Sequence, residues 1–114
     1  MGTMTNASIA ALARHFVGDD EPYEPDDETV AGFIDAALLG LRAKTGVPFL
    51  TSAEAVVTLT ATPLDLSGNC PIDNAWKEHL SHYVASLISG CPGANNDPQK
   101  SAFEMERFKA LLEP

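Results

Sequence analysis

Positive charge is scarce in this chain: 7 lysines and arginines stand against 16 aspartates and glutamates, a formal net charge of −9. Sequence-independent grip on nucleic acid needs Lys and Arg at the phosphates, so the balance disfavours it. The same shortage speaks against an anionic membrane surface. Long hydrophobic runs are missing as well, and the apolar stretches fall far short of the ~20 residues a spanning helix requires. The first residues, Met1-Gly2-Thr3-Met4-Thr5-Asn6, carry neither the basic start nor the apolar run of a secretory signal.

Cysteine is nearly absent: the chain has 2, Cys70 and Cys91. They bracket an expected helix from Asp73 to Ser89, whose ends would stand about 25 Å apart. A disulfide needs Cα atoms within about 7 Å, so two free thiols and a reducing compartment are expected. Each cysteine precedes a proline, Pro71 or Pro92, and so falls at a turn rather than at a thiolate-stabilising helix start.

The marks of catalysis are missing too. There is no Gly-x-Ser-x-Gly, no Gly-rich phosphate loop and no Cys-x-x-Cys. No enzyme, cofactor or resident metal is expected. His79 and His82 sit one helical turn apart, a spacing that brings two imidazoles to one metal. No third ligand follows at a suggestive interval, so they read as surface histidines flanking a Trp76–Tyr83 stripe. Asp19, Asp20, Glu21, Asp26, Asp27 and Glu28 do not match a calcium loop, which alternates its ligands around a central glycine. Capping plus a solvated linker explains them instead.

What the sequence does contain is helical periodicity over a single domain, residues 1–114. Ile9, Leu12, Ala13 and Phe16 mark a helix near Ala7–Val17, capped by Thr5 or Asn6 and ended by Gly18. After the linker DDEPYEPD, the stripe Val30, Phe33, Ile34, Ala37, Leu38 and Leu41 marks a second helix. Asp26 or Asp27 caps its start, and Gly46 with Pro48 ends it. Trp76, Leu80, Tyr83, Val84, Leu87 and Ile88 mark a third helix near Asn74–Ser89, with Asp73 as cap and Gly90 as close. Asp97 and Pro98 open a fourth, lined on one face by Met105, Phe108, Leu111 and Leu112. Between helices two and three, Thr51-Ser52-Ala53-Glu54 resembles a capping box, but the β-branched run after it favours a strand near Ala55–Ala61. The fold class is therefore mostly α: a four-helix bundle with a small β element, strand or hairpin.

Two features point outward. A solitary strand leaves unpaired backbone groups for a neighbour, and Val47–Leu50 is a poor partner because Pro48 cannot donate. Leu64-Asp65-Leu66 could pair with it inside the chain; otherwise Val57 and Leu59 belong to an interface between chains. The second is Phe103, which lies opposite Phe108 on the fourth helix, beside Arg107 and Ala110. Phe beside Arg is an interface-type pairing; the alternative is that Phe103 tucks under the preceding linker.

The run from Asp26 to Phe49 resembles the signature helix of phage head-to-tail connector proteins, through Asp26-Asp27, Ile34-Asp35-Ala36-Ala37, Thr45-Gly46 and Phe49. The likeness continues in Pro71-Ile72-Asp73, in a following helix that carries Tyr83, and in the closing FKALLEP, Phe108–Pro114. It spans about Leu12 to Pro114. It departs from the family in a short central β region and in the linker Cys91–Asn96.

The resemblance implies a non-catalytic subunit, made in the bacterial host cytoplasm and carried in the virion neck. There it forms a homo-oligomeric ring matching the portal's twelvefold symmetry, with the portal above and a tail or stopper protein below. DNA would pass without specific binding. Phe103, Arg107, Leu111 and Leu112 are the expected partner contacts. Asp19, Asp20, Glu21 and Asp26 are the expected lumen or solvated acidic edge, where few basic neighbours would hold them. Another neck or tail-completion protein, or a small acidic module binding a basic partner, are the rival readings.

Overall fold

The structure is a computed structural model that describes residues 4–19, 26–50, 66, 68–92 and 96–112. It is mostly helical. The helices are α1 (Asn6–Val17), α2 (Asp27–Thr45), α3 (Lys77–Gly90), entered through a 3-10 turn (Asn74–Trp76), and α4 (Pro98–Leu112). A Cα radius of gyration of 13.4 Å matches the ~13 Å expected of a compact chain of this length. The expected strand near Ala55–Ala61, with Val57 and Leu59, lies outside the described residues, as do Asp20 and Glu21. Thr5 and Asn69 form an isolated antiparallel bridge, and there is no extended strand among the described residues. No helix among them is long and apolar enough to cross a membrane.

Local chemistry sets the helix ends. The Thr5 hydroxyl accepts from the Ser8 N–H and the Asp26 carboxylate from the Thr29 N–H, each serving as N-cap. Asp97 accepts from the Lys100 N–H, with Pro98 in the first turn of α4. Gly18 and Gly46 end α1 and α2 at φ 72° and 73°, where a side chain would strain the backbone. Gly90 does not close α3 in that way: the cap is Cys91 in extended conformation, its N–H reaching the Ile88 carbonyl. The last carbonyls of α3 are served by the returning chain, through the Asp97 N–H to Ser89 O (2.7 Å) and the Asn96 side chain to Cys91 O (3.2 Å).

The start of α1 is satisfied from far away in sequence. Its Asn6 and Ala7 N–H groups donate to the carbonyls of Gly68 (2.9 Å) and Leu66 (2.8 Å), and the Cys70 N–H donates back to Met4 O. Leu66 thus pairs with the N-terminal segment. In the 47–50 segment the Leu50 N–H donates to the Pro71 carbonyl; the strand it was expected to pair with poorly lies outside the described residues.

Helix α3 is the centre of the bundle, packed against α1, α2 and α4. The core joins Ile9 and Ala13 of α1, the α2 stripe Val30, Ile34, Ala37, Leu38 and Leu41, and Leu80, Val84 and Ile88 of α3 to Phe49, Ile72 and Phe108. Phe49 also lies beneath the Arg42 guanidinium, 5.0 Å from the ring centroid. Gly40 lets α2 and α3 approach closely, since a Cβ there would stand 2.9 Å from the Tyr83 hydroxyl. The Tyr83 ring meets Phe108 edge-on at 4.9 Å, so one side chain links α2, α3 and α4.

Candidate functional site

Helix α4 has two faces. Phe108 is fully buried, with Met105, Leu111 and Leu112 half-buried beside it. On the outer face Phe103 is 60 % exposed, with Arg107 and Ala110 also in solvent. Phe103 does not tuck under the preceding linker. Leu39 of α2 is the other large exposed hydrophobe among the described residues, at 51 %.

Leu111 and Leu112 form one wall of an open cleft of about 340 Å³, completed by Thr45, Ala75, Trp76 and His79. His79 Nε2 donates to the Leu111 carbonyl at 3.1 Å, and its ring lies 4.8 Å from that of Trp76. The cleft is therefore lined by two aromatic rings and two leucines, and a hydrogen bond ties His79 to Leu111.

His82 is not a surface histidine. It is buried, its ring stacked on Phe16 of α1 at 4.2 Å, and its Nδ1 donates to the buried Glu104 carboxylate of α4. Glu104 falls one turn before Phe108 on the inward stripe, a position the apolar pattern had no means to assign to a carboxylate. With His82 engaged there and His79 held by Leu111, the two imidazoles do not converge. No group of three His, Cys, Asp or Glu among the described residues could hold a metal.

Asp19, at the start of the acidic run after α1, also differs from expectation. Asp19 is buried and bonded by Arg14 at 2.5 Å, while a second Arg14 nitrogen reaches Asp27 at 2.8 Å. The α1 terminus explains this. Gly18 and Asp19 donate back to the His15 and Arg14 carbonyls, and that closing motif brings the residue after the glycine against the residue four positions before that glycine. An apolar pair usually meets there, and here it is Asp19 and Arg14. Asp19 is thus a fixed ion-pair residue rather than a lumen or solvated edge. Asp26 is exposed, and the Thr29 N–H lowers its carboxyl pKa below the usual value.

Both described cysteines are free thiols, as the spacing predicted. Burial pushes the Cys70 pKa up to about 11. Comparison with family models, with curated proteins and with solved structures returns no match to the chain.

Proposed function

We propose that the chain is a structural subunit of a tailed-phage neck, assembling as a ring beneath the portal and joining head to tail. The observation that carries this reading is Phe103, a rigid aromatic 60 % exposed on the outer face of the last helix, beside Arg107. An aromatic with an arginine neighbour is the composition of a protein contact, and leaving it in water has a cost that a partner removes.

The connector-like motif supports the reading through the part each of its residues plays in the bundle. Asp26 caps α2, Ile34 and Ala37 fill the core, Gly46 turns the chain, and Phe49 anchors the exit. Asp26 and Glu28 stay in solvent and form an acidic edge that repels a passing duplex. In this role the protein is made in the host cytoplasm, meets the portal on one side and a tail or stopper protein on the other, and ends in the virion neck.

The test is reconstitution with the portal of the same phage, read by native mass measurement. A complex whose copy number matches the portal's symmetry is expected. A chain that stays off the portal and instead binds a basic partner as a monomer would overturn the reading in favour of a regulatory module.

A further inference from the structure

The reading of the chain as a self-assembling subunit leaves open how copies join, and the inference here rests on that reading. The bundle presents a knob and a hole on different surfaces. The knob is Phe103. The hole is the cleft of about 340 Å³ between Trp76, His79 and the Leu111–Leu112 end of α4. That volume lies at the small end of ligand pockets, about 300–1,000 Å³, and suits one aromatic side chain.

Phe103 cannot fill the hole of its own chain. Phe103 and Leu111 are on the same continuous helix, about 12 Å apart along its axis, and Phe103 points away from the bundle. The neighbouring charges are complementary. Arg107, one turn beyond Phe103, is exposed and has no ion-pair partner among the described residues. Glu78, next to His79 at the cleft, is exposed and likewise has none among them.

We propose that Phe103 of one copy seats in the Trp76–Leu111–Leu112 cleft of the next, with Arg107 reaching Glu78. The two patches differ, so the contact is head-to-tail. Repeated contacts of this kind close into a ring when the rotation allows. The exposed Leu39 takes no part in the contact.

The test uses two variants whose changes fall on exposed side chains. Phe103→Glu removes the knob and keeps the hole; Ala75→Trp fills the hole and keeps the knob, with Thr45→Trp as a second way to fill it. Circular dichroism checks the fold, and sedimentation velocity reads the assembly. The wild type self-associates with concentration, each variant alone stays monomeric, and an equimolar mixture of Phe103→Glu and Ala75→Trp forms dimers that grow no further. The milder Phe103→Ala weakens association on the order of 10–100-fold. Leu39→Glu assembles like the wild type.

A wild type that stays monomeric, single variants that assemble unimpaired, or a mixture without dimers each overturn the contact. Portal binding is scored separately. A chain that joins the portal but ignores these substitutions loses the contact while the connector reading stands; one that self-associates through Phe103 yet never joins the portal loses the connector reading alone.

Discussion

His82 and Glu104, 22 residues apart in sequence, meet in the buried seam between α3 and α4, where Phe16 of α1 covers the imidazole. Three helices converge on one polar contact shut away from water. Removing either partner leaves the other buried without its hydrogen bond, which costs about 1–3 kcal/mol. His82→Leu and Glu104→Leu each lower stability by that order. The double variant recovers much of the loss, because two apolar groups leave nothing unsatisfied. Urea denaturation of all four proteins measures the coupling, and additive losses would contradict it.

The Arg14 cluster gives a graded series. The Asp19 side chain is 2 % exposed and that of Asp27 is 65 % exposed, though the same guanidinium serves both. Arg14→Met leaves Asp19 buried without this cation and costs about 3–5 kcal/mol. Asp27→Asn costs no more than about 1 kcal/mol, the scale of a solvent-screened pair. Thermal melts of the two variants should separate clearly, and equal shifts would mean that Asp19 finds its support elsewhere.

Two glycines inside α2 should answer oppositely to the same substitution. Nothing stands within 4 Å of a Cβ built at Gly32, so Gly32→Ala gains helix propensity of about 1 kcal/mol. At Gly40 the same methyl meets the Tyr83 hydroxyl at 2.9 Å, and that ring is held by Phe108. Overpacking of about 1–3 kcal/mol cancels or outweighs the gain there. Chemical denaturation curves should show Gly32→Ala stabilised and Gly40→Ala not.

Cys70 introduces a pH dependence on the alkaline side. Its folded pKa of about 11 lies above the ordinary 9.0, so the folded state holds the thiol proton where the unfolded chain has lost it. Stability attributable to the neutral thiol is complete below pH 9 and falls as pH rises toward 11. Two pH units of difference correspond to about 2–3 kcal/mol. Cys70→Ala should flatten that slope in stability measured from pH 8 to 11, and an unchanged slope would assign it to other groups.

The two phenylalanines of α4 test its sidedness. Phe108 is fully buried and Phe103 is 60 % exposed. Phe108→Ala should cost about 3–5 kcal/mol, whereas Phe103→Ala should change monomer stability by no more than about 0.5 kcal/mol. Comparable losses would mean that Phe103 packs within its own chain.

The helices and their ends were legible because caps are local events. Thr5, Asp26 and Asp97 act within three residues of themselves, and Gly18 and Gly46 each satisfy a backbone need that few other residues meet. The α2 stripe was legible because its buried residues are apolar. Helix α3 was harder. Its Ser81, His82, Ser86 and Ser89 look like a solvent face, yet all are buried because α1, α2 and α4 enclose the helix. Glu104 was hidden for the same reason, since a carboxylate on an inward stripe makes sense only once His82 is known to face it. Asp19 could have been found: an arginine four positions before a terminal glycine and an aspartate just past it are the two residues that such a helix end brings together.

The opening amides of α1 are silenced by carbonyls of residues 66 and 68. Two opening amides of α1 are thus satisfied from the segment at residues 66 and 68, while Thr5 caps the Ser8 N–H locally. Until residue 68 has been made, those two amides have only water to donate to.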